Sequence, residues 1–111
     1  MVKSIAYVRC LGLVAFFALT ALPARALPVP PDPEKGEALA QHWCAACHLV
    51  SPDQKNANSD VPSFASIANN KKLTAKTLQV FLSTPHAKMP DMHLSRNEIA
   101  DIVAYIGSLG R

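Results

Sequence analysis

The 111-residue sequence holds eleven basic residues against eight acidic ones, a formal charge of +3, and half of its residues are hydrophobic. Lys3, Arg9 and Arg25 all fall in the first 26 residues, so the remainder is formally neutral. That balance removes the electrostatic ground for binding nucleic acid, and the length suits one small domain.

The first segment has the pattern of an export signal. Lys3 and Arg9 form a positive n-region, Leu11 to Leu22 is apolar, and Ala24-Arg25-Ala26 gives an A-x-A cleavage site. The apolar stretch is short for a bilayer span. An uncleaved N-terminal anchor is the alternative, but the small-residue site and the helix-breaking Pro23 fit release better. The expected organisation is a cleaved secretory signal peptide over residues 1–26 and one domain over residues 27–111. Cys10 leaves with the signal. A domain of this size buries only about 60 to 65% of its unfolded surface and often needs a staple.

Leu27 to Pro33 is Pro-rich and reads as an extended leader. Asp32 is placed to cap a first helix, with Pro33 at its first position and Glu34 and Glu37 near its positive end. Gly36, Leu39, Ala40 and Trp43 then share one stripe. A polar, turn-rich loop follows from Ser51 to Asp60, and Pro62-Ser63-Phe64 opens an apolar patch that includes Ile67. Thr74 is the expected N-cap of a helix bearing Leu78, Phe81 and Leu82 and ended by Pro85. Ser95 and Glu98 make a capping box for the last helix, with Leu94 and Ile99 as its staple. Ile99, Ile102, Val103 and Ile106 give that helix its buried face. No stretch alternates long enough to argue a strand, so the expected class is all-α.

Chemistry concentrates in Cys44-Ala45-Ala46-Cys47-His48. C-x-x-C-H is the attachment pattern of a c-type haem. Two thiols three positions apart in a helical stretch can form thioethers to the two vinyl groups on one porphyrin edge, and the adjacent imidazole then reaches the iron. The same residues could instead make a disulfide, a redox pair or half of a zinc site. A redox pair of the thioredoxin type needs a βαβ context, which is missing. A zinc site needs further ligands, and His86 and His93 are too far apart for the usual pattern.

Met89 and Met92 are the only methionines in residues 27–111. A methionine is ordinarily a core residue. Met89 lies between Pro85 and Pro90 on a loop instead of on a helical stripe, which argues against that role. A thioether opposite an imidazole favours reduced iron.

Taken in order, these features resemble a class I c-type cytochrome over residues 32 to 109. The resemblance rests on Gly36 eight residues before Cys44, C-x-x-C-H, Pro62-Ser63-Phe64, the Pro85-His86 to Met89-Pro90 segment and Ile102-Val103-Ala104-Tyr105-Ile106. It implies a cytochrome c fold, with helices wrapped around one covalently attached haem c and the N- and C-terminal helices crossing at Gly36 under Ile102 and Tyr105. Ala40 stands where the family often has an aromatic, so Trp43 and Leu39 are expected to compensate. The implied roles are covalent attachment at Cys44 and Cys47 and proximal iron ligation by His48. Distal ligation falls on Met89 by the family's M-P-x-x-x-L-S arrangement, with Met92 second and His86 or His93 last. The Pro62 carbonyl is implied to accept from His48, the alternative being a proline that merely stiffens the loop.

Full coordination closes the iron to substrate, so no catalytic acid, base or nucleophile is called for. The function implied is a periplasmic one-electron carrier, not an enzyme, monomeric or a small subunit, with a redox donor and acceptor such as a dehydrogenase, reductase or oxidase. Lys71, Lys72, Lys76 and Lys88 would lie near the distal side and could steer an acidic partner. Two rival readings are a haem-bearing subunit of a periplasmic dehydrogenase and a haem ligand sensor with a labile methionine.

Overall fold

In the computed structural model, residues 27–58, 60–84 and 88–110 are described. The expected export signal over residues 1–26, Pro85 and His86 lie outside them. The described residues form four helices and no strand: α1 (Pro33–Trp43), α2 (Phe64–Ala68), α3 (Ala75–Ser83) and α4 (Arg96–Ser108). No helix among them is long and apolar enough to cross a membrane.

Local sequence sets each start. The Asp32 side chain accepts from the Glu34 and Lys35 amides, with Pro33 opening α1. Thr74 accepts from Thr77 at the head of α3. At α4 the Ser95 hydroxyl accepts from the Glu98 amide at 3.3 Å while the Glu98 carboxylate accepts from the Ser95 amide at 2.7 Å, completing the capping box. These caps satisfy backbone donors that a helix start leaves without intrahelical partners. The same bonds hold the Asp32 and Glu98 carboxyls below their ordinary values. Each is stabilised mainly by a backbone N–H, from Lys35 and from Ser95 respectively.

α2 is an element that the apolar patch at Phe64 and Ile67 did not announce as a helix. Ser63 caps it by accepting from Ser66. Five residues are too few for a periodic signal, and only the cap could have marked it. α3 ends at Ser83, with Thr84 already extended ahead of Pro85. The clash of a proline ring with the preceding residue accounts for that stop.

The core lies where α4 meets α1. Ile102 and Ala40 are fully buried, joined by Val50, Phe64, Tyr105 and Ile106. Gly36 makes the approach possible: a Cβ there would overlap the Asp101 carbonyl and lie 2.9 Å from the Ile102 nitrogen. The Asp101 side chain reaches back to accept from the Asp32 amide at 2.7 Å, pinning the start of α1 to α4. The expected stripe of α1 needs one correction. Leu39 packs against the core, but Trp43 is 44% exposed and does not fill the space beside Ala40.

Candidate functional site

α1 carries the chain to Cys44, which is its C-cap and is buried. The rest of the motif lies in tight turns beyond the helix, a difference from the helical stretch expected. Cys47 and His48 both donate their amides to the Cys44 carbonyl, at 3.1 and 2.9 Å. The two cysteines are free, Cys44 buried and Cys47 exposed. Burial pushes the Cys44 thiol up to about 11. A redox nucleophile needs the opposite shift, toward thiolate. Among the described residues, no three His, Cys, Asp or Glu side chains are grouped to hold a metal ion.

His48 is fixed through its ring. Its Nδ1 is 2.7 Å from the Pro62 carbonyl oxygen, which can only accept, so Nδ1 carries the proton. In the neutral ring this tautomer leaves the Nε2 lone pair available to a metal. Phe64 backs the imidazole at a ring-centroid distance of 5.7 Å and leans in turn on Tyr105 at 6.4 Å. Burial, and then the negative charge of Glu37, hold the Tyr105 phenol above its ordinary value. It stays protonated and donates to the buried Val50 carbonyl at 2.8 Å.

The loop from Ser51 folds back over the motif, a role its polar composition did not reveal. The Asn58 amide donates to the Cys47 carbonyl at 3.0 Å and the Phe64 amide to that of Leu49 at 2.9 Å. Gln54 lies within hydrogen-bond distance of the Ala45 and His48 carbonyls through Nε2 and of the Val50 amide through Oε1. Only a folded loop brings these groups together, so sequence spacing carried no signal for them.

α3 and the segment leading to α4 are less covered. α3 places Leu78 and Leu82 against the core yet buries no residue completely. Val80 is 61% and Phe81 51% exposed. Met89 and Met92 are both half-buried on the segment leading to α4. His93 has a positive φ of 50°, and its ring turns to the Asp91 carboxylate at 3.4 Å with the side chain 87% exposed. The residues present suit a haem: two thiols, an imidazole with a free Nε2, two thioethers and an incompletely covered apolar wall.

The comparisons with known proteins agree with that chemistry. Residues 31–106 match the protein family described as cytochrome c oxidase, cbb3-type, subunit III. Over 78 residues the chain is 51% identical to cytochrome c-552 of Bradyrhizobium diazoefficiens, covering 70% of this chain and 75% of the relative. The chain belongs to the c-type cytochromes. No solved structure matches it significantly. The helical architecture is therefore that of an all-α cytochrome c, and this cytochrome is an electron-transfer protein with a covalently bound haem c and its iron. Redox proteins are its partners.

Proposed function

We propose that this cytochrome is a periplasmic one-electron carrier, with haem c joined to Cys44 and Cys47 and its iron held by His48 and Met89. In this reading residues 1–26 are the export signal and residues 27–111 the mature domain. The observation that carries it is the His48 ring: Nδ1 is committed to the Pro62 carbonyl, Phe64 backs it, and Nε2 is free to bind iron. When bound, the haem supplies a metal that cycles between ferrous and ferric states.

The protein's part is to hold that metal still. The Pro62 bond raises the basicity of the imidazole and fixes its tautomer. A half-buried thioether at Met89 opposite would favour the reduced state and close the second face. Met89 is preferred over Met92 because it precedes Pro90 in the family arrangement, and His93 is turned to Asp91. With His48 and Met89 both committed to the iron, the carrier would pass single electrons between partners and would need no catalytic group of its own. Lys71, Lys72, Lys76 and Lys88 are all exposed and offer a basic rim for an acidic donor or acceptor.

Ferric and ferrous spectra of the purified wild type, Met89→Ala and Met92→Ala proteins test the ligation. Loss of the methionine-to-iron band in Met89→Ala alone is expected, with carbon monoxide binding appearing only in that variant. Loss in Met92→Ala instead would transfer the role. Carbon monoxide binding by the reduced wild type at neutral pH would favour a ligand sensor. The family's description as an oxidase subunit favours, as a second reading, a haem-bearing subunit of a larger periplasmic complex. Stoichiometric co-purification with a catalytic partner would support it.

A further inference from the structure

The loop between Ser51 and Asp60 contains one side chain whose bonding pattern the electron-carrier role does not explain. Gln54 is half-buried. Its Nε2 lies 2.9 Å from the Ala45 carbonyl, 2.9 Å from the His48 carbonyl and 2.6 Å from the Asn56 carbonyl. Its Oε1 accepts from the Val50 amide at 2.9 Å. An amide nitrogen carries two protons, so three carbonyls share two donors. A loop glutamine without a structural task would leave this amide in water.

We propose that Gln54 is the positioning residue of the haem-attachment turn, locking the backbone on both sides of Cys47 and thereby setting the orientation of the His48 ring at the iron. This rests on the assignment of Cys44, Cys47 and His48 proposed above. Ala45 lies between the two cysteines and His48 is the ligand itself, so one amide group spans the whole attachment turn. A backbone N–H can satisfy one such carbonyl. The carboxamide reaches both from one point and takes the Val50 amide with its other end.

The bracing continues into the core. The Val50 carbonyl accepts from Tyr105 on α4, and Val50 itself is 1% exposed. The imidazole is held through Nδ1 by Pro62 and its backbone through the carbonyl by Gln54. The bond at Nδ1 restrains the ring, and the bond at the carbonyl restrains the backbone that carries it. Ligand orientation of this kind is a property that surrounding hydrogen bonds tune.

The test uses the mature holoprotein with Gln54→Met, which keeps length without polar atoms, and Gln54→Glu, which keeps the acceptor for Val50 and replaces the donors with oxygen. Ile99→Val, a buried change on α4, serves as the stability control. Intact mass confirms haem in each sample. The readouts are the reduction potential and the paramagnetically shifted proton signals of the His48 ring in the ferric protein. Both Gln54 variants are expected to displace the potential and the ring signals, Gln54→Glu more strongly because its oxygen faces three carbonyls. Ile99→Val is expected to lower Tm and leave both readouts at wild-type values.

Haem-bearing Gln54 variants with wild-type potential and ring signals overturn the proposal. If the variants yield no holoprotein, the wild type decides: the Gln54 side-chain protons should exchange with solvent about tenfold more slowly than those of exposed Gln79. Equal exchange overturns the proposal. A wild type without covalent haem would defeat the underlying assignment, whereas a loaded wild type with unaltered variants defeats the role of Gln54 alone.

Discussion

The two walls of the site are built differently. On the His48 side, Val50, Phe64 and Tyr105 are buried, and the backbone carbonyls from Cys47 to Val50 all have hydrogen-bond partners. On the Met89 side, α3 buries no residue completely, and both methionines are only half-buried. One wall is finished by protein contacts. The other leaves apolar side chains on α3 and two thioethers only partly covered. The contrast separates a hydrogen-bonded, buried support around His48 from a sparsely covered region on α3 and at the methionines.

The sharpest break in that contrast is expected from core truncation. Ile102→Ala removes a fully buried side chain at the crossing and should cost about 2–5 kcal/mol by chemical denaturation of the holoprotein. Val80→Ala on α3, 61% exposed, should change stability by no more than about 0.5 kcal/mol. A comparable loss at both would erase the distinction between the walls.

A smaller effect follows at the helix crossing. Gly36→Ala drives a Cβ into the Asp101 carbonyl and should destabilise by about 1–3 kcal/mol as the helices part. Tyr105→Phe strands the buried Val50 carbonyl and should cost about 1–2 kcal/mol, also read from denaturant midpoints.

Acid should act next, on the helix starts. Asp32 and Glu98 both have lowered folded-state values, so the stability each adds is complete above its ordinary value, 3.8 or 4.5. It is lost as pH falls below that value and through the lowered folded one. Thermal melts across that window should show the decline, and Glu98→Gln should remove the share belonging to α4. The smallest change should be a gain. Gly107→Ala meets open space on α4 and should raise stability by about 0.5–1 kcal/mol, the opposite sign to Gly36→Ala on α1.

Much of this was legible where the physics is local. Asp32, Thr74 and the Ser95–Glu98 pair announced their helices because a cap bonds within three residues of itself. The buried face of α4 followed from its period, though Tyr105 was read only through the resemblance. Trp43 was misplaced because the stripe was extended to the point where α1 gives way to turns. Gly36 was readable as a close-approach position, but its partner, the Asp101 carbonyl, was not. Gln54 left no trace, since its partners meet only once the loop has folded over the motif. The motif named the chemistry, and tertiary structure supplied the bracing around it.

The central claim is that Cys44 and Cys47 hold the haem while His48 supports its iron. Its most direct measurement is the intact mass of the protein purified after export with the maturation machinery present, followed by mapping of the peptide containing both cysteines. The account predicts the chain shortened by residues 1–26 and heavier by one haem, with both sulfurs modified. An exported chain of unmodified mass would contradict it.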